Sequence, residues 1–251
     1  MRRPATRPTA AMLVIGDEIL SGRTRDANAH HLACELTKAG VELREVRMVR
    51  DDQAAIVAAV NALRAEVDHL FTSGGIGPTH DDITADAIGA AFGVPVDVRE
   101  DARAVMQAHY ARTGREMNAA RLRMARIPEG AVLIDNPVSA APGFTIGNVH
   151  VMAGVPEIFR AMLEGLLAKI DGGAPLLSHS FRCEIPEGDL AVPLGQVAAA
   201  YPDVSMGSYP FGGVGAILVL RHVDRARLAE AAEALRAALA PLGGAQSETP
   251  P

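Results

Sequence analysis

The stretch Phe71-Thr-Ser-Gly-Gly-Ile-Gly-Pro-Thr-His-Asp-Asp-Ile-Thr84 constrains the fold more than any other part of the chain. His69–Ser73 is an apolar run that reads as a buried strand, and Gly74, Gly75 and Gly77 follow it at once. A helix-forming run from about Asp82 to Phe92 comes next. A strand that turns through glycine into a helix is the repeating unit of a parallel α/β sheet. In such sheets the loops beyond the carboxyl ends of the strands form the binding edge.

The rest of the first two-thirds repeats this grammar. Ala10–Gly16 is a short apolar strand ending in glycine. Asp26–Ala39 carries Ala29, Leu32, Ala33, Leu36 and Ala39 at helical spacing, and Gly40 stops it. Val41–Val49 alternates as a strand, and Asp51–Ala65 is a helix with Ile56, Val57, Val60 and Leu63 on one face. Asp101–Thr113 predicts another helix, continued over Ala119–Ala125. Ala131–Ile134 is a short strand, and Gly143–Met152 places Gly147-Asn148 between two alternating runs, a hairpin signal. Pro156 and Glu157 open a helix over Val155–Ile170. These spacings predict an α/β fold: a three-layer α/β/α sandwich with a mostly parallel sheet and an antiparallel edge hairpin.

Asp171–Pro175 reads as a linker. Beyond it the order becomes strand (His179–Glu184), helix (Asp189–Ala200), two strands (Val204–Ser208, Ala216–His222) and an Ala/Leu-rich helix (Asp224–Leu239). That β-α-β-β-α order predicts a small α+β domain. The expected boundaries are a disordered tail over 1–9, the large domain over 10–172, the small one over 176–242 and a disordered tail over 243–251.

The glycine loop offers exposed backbone N–H groups to an anion, and Ser73 and Thr79 add hydroxyls. Asp81 and Asp82 add negative charge that a plain phosphate cradle would repel, so the site calls for a phosphate together with a cation. Asp82 also suits a helix N-cap. The loop lacks the third glycine of a G-x-G-x-x-G fingerprint and the lysine of a Walker loop. His80 is either a metal ligand or a solvated loop residue.

Gly16-Asp17-Glu18 follows the first strand and therefore shares the same edge. Asp17, Glu18, Asp81 and Asp82 together invite a hard cation, although Asp17 and Glu18 equally suit a helix start. Asn28 either meets a ligand or caps a helix, and Asp51-Asp52 reads first as a cap pair. Asn136–Gly143 and Ala153–Glu157 are Pro/Gly turns in which Gly154 and Glu157 N–H groups could meet a phosphate. Arg112, Arg115, Arg121, Arg123 and Arg126 form either a solvated face or a polyphosphate clamp. No G-x-S-x-G and no Cys–His pair is visible, so hydrolysis would be metal-assisted with a carboxylate as base.

Bulk properties exclude several classes. The net charge of −6 argues against duplex nucleic acid. With 4% aromatic residues and no Trp, a stacking platform for single strands is not expected, and Asp203–Gly213 lacks a basic G-x-x-G loop for RNA. No apolar run has membrane-span length. Cys34 and Cys183 lie far apart and suit reduced thiols, so the expected location is cytoplasmic.

The residues GDEILSGR at 16–23, SGGIGPTHDDIT at 73–84, NPVSAAPGF at 136–144 and AGVPEIF at 153–159 resemble the competence/damage-inducible protein A (CinA) family and, more broadly, the MoaB/Mog molybdopterin-binding fold. The later Gly207-Ser-Tyr-Pro210 is similar to the segment where that family carries a small KH-like module. Ser73 replaces the usual Thr, Val138-Ser139-Ala140 a Gly-Thr pattern, and Ala153 a Pro. The resemblance implies a small phosphorylated ligand, either a dinucleotide such as ADP-ribose or FAD, cleaved at its pyrophosphate, or a molybdopterin that is bound without turnover. Divalent Mg, Mn or Co is the implied cofactor, and a homo-oligomer the implied state, with the helix at 226–239 as a contact face. The implied phosphate and ligand contacts are Ser73, Gly74, Gly75, Gly77, Pro78, Thr79, Asn28, Gly143, Gly154, Pro156 and Glu157. Metal positions fall on Asp17, Glu18, Asp81 and Asp82, and the catalytic pair on Asp82 and Asp51. The sequence ends before the amide-hydrolysing domain of full-length members, so nicotinamide-nucleotide deamidation is not expected.

Overall fold

The computed structural model describes residues 7–251. The chain divides into two compact units, with the division between Gly173 and Ala174. In the first unit the strands are β1 (Thr9–Ile15), β2 (Glu42–Val49), β3 (His69–Ser73), β4 (Val96–Val98), β5 (Arg126–Pro128), β6 (Val132–Ile134), β7 (Gly143–Ile146) and β8 (Val149–Met152). Its helices are α1 (Asp17–Leu20), α2 (Asn28–Lys38), α3 (Gln53–Arg64), α4 (Thr84–Phe92), α5 (Glu100–Thr113), α6 (Ala119–Arg123) and α7 (Pro156–Leu167).

Six strands make one sheet in the order β2-β1-β3-β8-β7-β6. β1 pairs in parallel with both β2 and β3, and β3 pairs in parallel with β8. Every residue of β1 is buried, as a central strand covered on both faces must be. Its alternation feeds two cores. Ala11, Leu13 and Ile15 pack with α3, α4 and α5, while Ala10, Met12 and Val14 pack with α2 and α7. The result is a three-layer α/β/α sandwich with a mostly parallel sheet. The Gly147-Asn148 hairpin joins β7 to β8 antiparallel, and β6 lies outside it as the edge strand.

The chain passes from β1 to β2 on one side and then crosses back to β3 on the other. The carboxyl ends of β1 and β3 therefore form a topological switch point, where a doubly wound sheet opens a crevice. β4 and β5 form a separate antiparallel ribbon that the sequence pattern did not show, since three residues are too few for a period.

The second unit holds β9 (Leu177–Cys183), α8 (Glu187–Ala200), β10 (Ser205–Phe211), β11 (Gly215–His222), α9 (Arg225–Leu239) and β12 (Ser247–Thr249). Its antiparallel sheet runs β10-β11-β9-β12.

Three expectations need correction. The segment 243–251, read as a disordered tail, contributes β12. Glu248 fixes it through hydrogen bonds from Arg236 (2.8 and 2.6 Å) and a 3.0 Å contact with His179. Of the tail 1–9, residues 1–6 lie outside the described residues, but Thr9 opens β1 and Arg7 donates to the Gly40 and Val41 carbonyls. The apolar face of α9 is not a free contact face: Leu228, Ala231, Ala232, Leu235 and Leu239 pack into their own unit's core. No helix among the described residues is long and apolar enough to cross a membrane.

Candidate functional site

The loops after β1, β3, β6 and β8 meet at the switch point around a cleft of about 460 Å³. Its lining joins Glu18 and Thr24 from the first loop to Gly74–Pro78 and Asp82 from the glycine loop. Met124, Asn136, Ser139, Ala141 and the Ala153–Pro156 turn, with Ile158, complete it.

Backbone contact holds these loops together. Gly74 has φ +109°, and a Cβ there would lie 2.1 Å from the Ile15 carbonyl oxygen at the end of β1. Gly75 has φ +67°, and a Cβ there would lie 2.1 Å from Thr84 Oγ1. Both positions require glycine. Thr84 locks the turn, donating from Oγ1 to the Gly74 carbonyl (3.0 Å) and from its N–H to the Gly75 carbonyl (2.9 Å). Gly154 packs on Gly74, so the second and fourth loops touch backbone to backbone.

Asn28 is the bolt between them. It is 3% exposed, and its Nδ2 donates to Ser73 Oγ (2.7 Å) and to the Gly154 carbonyl (2.8 Å). It does not cap α2; Asp26 does that by accepting from the Asn28 and Ala29 N–H groups. Asn136 plays the same part in the third loop. Its Nδ2 donates to Ser139 Oγ and the Ala141 carbonyl, and its Oδ1 accepts from the Val138 and Ser139 N–H groups. Ala140 in that loop has φ +64°, a left-handed conformation rare outside glycine.

The acids divide into two groups on the rim. Asp82 Oδ2 accepts from the Thr79 N–H (2.8 Å) and hydroxyl (2.5 Å). Asp51 Oδ2 accepts from the Asp17 N–H (2.9 Å), and Asp17 Oδ1 faces Arg50 Nε at 3.2 Å. Burial pushes the Asp51 carboxyl above the usual range, and the charges of Glu18, Asp17 and Asp81 push the same way, against the pull of the Asp17 N–H. The two groups therefore share one field.

Among the residues singled out by sequence, Glu18, Gly74, Gly75, Gly77, Pro78, Asp82, Gly154 and Pro156 line the cleft. Ser73 and Asn28 line a smaller adjoining cavity of about 50 Å³. Asp17, Asp51, Asp81, Thr79 and Glu157 do not line the cleft. Gly143 does not either: it lies within β7, where a Cβ would sit 2.3 Å from the Val151 carbonyl oxygen, so its role is strand packing. His80 is a fully exposed loop residue. The sequence reading missed Thr24, Met124 and Ile76 as lining residues, since nothing in their types marks them.

A doubly wound α/β unit with a loop-built cleft at its switch point defines the class. The family model described as "Probable molybdopterin binding domain" matches residues 11–179, and the chain belongs to that family. A second model, "FAD synthase, middle domain", matches residues 175–243. A protein of Pyrobaculum calidifontis is 36% identical over 86% of this chain and 86% of its own length. A CinA-like protein of Desulfosudis oleivorans is 35% identical over 79% of this chain, which spans 51% of that relative's length. The crystal structure of the protein CinA from Thermoplasma acidophilum, of unknown function, superposes with a TM-score of 0.58 at 34% identity, covering 63% of this chain and 95% of that one.

Proposed function

We propose that the cleft takes a phosphorylated dinucleotide of the ADP-ribose or FAD class and that the chain hydrolyses its pyrophosphate with a divalent metal ion. One observation carries this reading: glycine-loop backbone and two carboxylates, Glu18 and Asp82, line the same cleft. The Gly74 N–H is taken by the Met152 carbonyl (3.2 Å), so the backbone from Gly75 to Gly77 is the part that would meet phosphate oxygens, and a volume near 460 Å³ suits a ligand of nucleotide size. The FAD synthase match beside this unit favours a flavin dinucleotide among the candidates.

Among the described residues, no three acidic, His or Cys side chains are grouped to hold an ion by themselves. Mg²⁺ is commonly held by one or two carboxylates together with substrate phosphates. Asp82 and Glu18 would supply those carboxylates, with Asp17 and Asp81 on the surrounding rim. A metal held there would supply charge neutralisation at the phosphate and a lowered pKa for water. Thr79 fixes Asp82 through Oδ2 and leaves Oδ1 without a partner among the described residues. Asp51, made more basic by burial, stands on the rim outside the cleft lining and would take the proton of the attacking water through one intervening water. The water oxygen bonds to one phosphorus, the bridging P–O bond breaks, and AMP leaves.

The test is incubation with ADP-ribose or FAD and Mg²⁺, Mn²⁺ or Co²⁺. AMP release should fall about 10²- to 10⁴-fold in Asp82→Asn. No AMP from wild type refutes hydrolysis, and equal release by both refutes the role of Asp82. The matched family's description favours a second reading, in which the cleft holds molybdopterin or its adenylated form without turnover. Pterin fluorescence in the purified protein, or tight pterin binding without product, would select it.

A further inference from the structure

The structure sorts the arginine cluster that follows the glycine loop. Arg112 and Arg115 are exposed. Arg121 lies over the Tyr110 ring at 5.0 Å and donates to the Glu116 carbonyl. Arg126 forms a two-pronged pair with Asp86, at 2.7 and 2.6 Å. Arg123 differs from all of these. Its Nε is buried and has no hydrogen-bond partner among the described residues.

Arg123 lines a side cavity with Gly75, Ile76, Gly77 and Asp82. Those four also line the main cleft, so the two cavities adjoin across the glycine loop. Its volume is about 20 Å³. That is room for about one water-sized atom, and too little for a ring. A guanidinium is always charged, and its N–H donors demand acceptors when removed from water. The acids on the same cavity do not pair with Arg123: both oxygens of Asp86 serve Arg126, and Asp82 Oδ2 serves Thr79.

We infer that Arg123 is an anion anchor, binding one non-bridging phosphate oxygen of the ligand in this side cavity while the rings occupy the main cleft. The inference rests on the reading of the ligand as phosphorylated, and it does not require hydrolysis. Arg123 then supplies positive charge that, unlike Arg50 and Arg126, is not committed to a carboxylate among the described residues. It recognises a phosphate by charge and by the planar fork of its donors.

The test is calorimetric titration of the full chain with inorganic pyrophosphate. R123Q should weaken binding about 10- to 100-fold, the usual consequence of losing a charged hydrogen bond. R123K keeps the charge but not the fork, and should fall between R123Q and wild type. R112Q, on the exposed end of α5, should bind within about twofold of wild type. The unliganded R123Q protein should melt no lower than wild type, because it loses an unsatisfied donor; a packing role would lower its melting temperature. Equal affinity in R123Q and wild type, or no pyrophosphate binding by wild type, overturns the assignment. AMP release from ADP-ribose with an unchanged KM in R123Q refutes the anchor and leaves the hydrolase reading intact. Pyrophosphate binding that depends on Arg123, without AMP release, keeps the anchor and removes hydrolysis.

Discussion

Acid should loosen the large unit through one histidine. His150 stands on β8 at 4% exposure. Its Nδ1 lies 3.0 Å from Thr145 Oγ1 and its Nε2 lies 3.1 Å from His69 Nδ1. The His69 ring stacks on it, and Phe71 packs beside it with centroids 5.1 Å apart. Burial, reinforced by His69, brings its titration from 6.5 down to about 4. The unfolded chain thus takes up a proton near pH 6.5 that the folded chain refuses until about pH 4. The sign follows: this contribution is full above pH 6.5 and is lost as pH falls from there towards 4. At about 1.4 kcal/mol per pH unit, the loss over that interval is about 3 kcal/mol. The assay is urea unfolding of wild type and His150→Phe at steps between pH 7 and pH 4. Ordinary carboxylates titrate in both proteins and cancel in the difference. Wild type should lose about 3 kcal/mol more than the variant across the range. Parallel stability profiles would refute the reasoning, because they would mean that the folded state admits the proton as readily as the unfolded one.

Three further outcomes follow from the loops and from the small unit. Asn28→Ala removes two buried hydrogen bonds that join three loops, so it should cost about 1–3 kcal/mol in thermal unfolding and weaken any ligand of the cleft. Gly75→Ala meets both a left-handed backbone and Thr84 Oγ1 at 2.1 Å, and should lose about 2 kcal/mol or more. Adding Thr84→Ala should restore part of that loss, and calorimetric melting of the double variant checks it. Glu248→Gln should destabilise the small unit by about 1 kcal/mol, because β12 is tied through that carboxylate to Arg236 and His179. Arg236 holds the Glu248 carboxyl below its ordinary value, so the difference should be present above the ordinary glutamate range and fade as pH falls through it.

What the sequence made legible depended on whether the cause of a feature was local. β3 spans His69–Ser73 as its apolar pattern and trailing glycines indicated. The Gly147-Asn148 turn chose its hairpin because Gly147 takes φ +57°. The three-layer arrangement followed from the alternation of such units. β12 escaped because three residues carry no pattern, and its support comes from Arg236 and His179 on other elements. Asn28 looked like a cap or a ligand contact, and only the fold brings Ser73 and Gly154 to its amide. The arginines following the glycine loop are alike in sequence. Only their neighbours separate the paired Arg126 from Arg123, whose Nε has no partner among the described residues.

The glycine loop shows why a residue type alone underdetermines its purpose. Gly74 and Gly75 are required by packing against Ile15 and Thr84, with no ligand involved. A Cβ on Gly77 would lie 2.7 Å from Asp82 Oδ2, so that glycine makes room for a carboxylate on the cleft. The same close packing strips side-chain cover from the loop and leaves its backbone along the cleft, where an anion can reach it. Anion binding and loop closure are therefore two consequences of one backbone path. The specificity must come from groups that the packing does not require: Glu18, Arg123 and the Oδ1 of Asp82, whose Oδ2 holds Thr79. Substitutions at Gly74 or Gly75 would confound folding with binding, whereas substitutions at Glu18 and Arg123 separate the two.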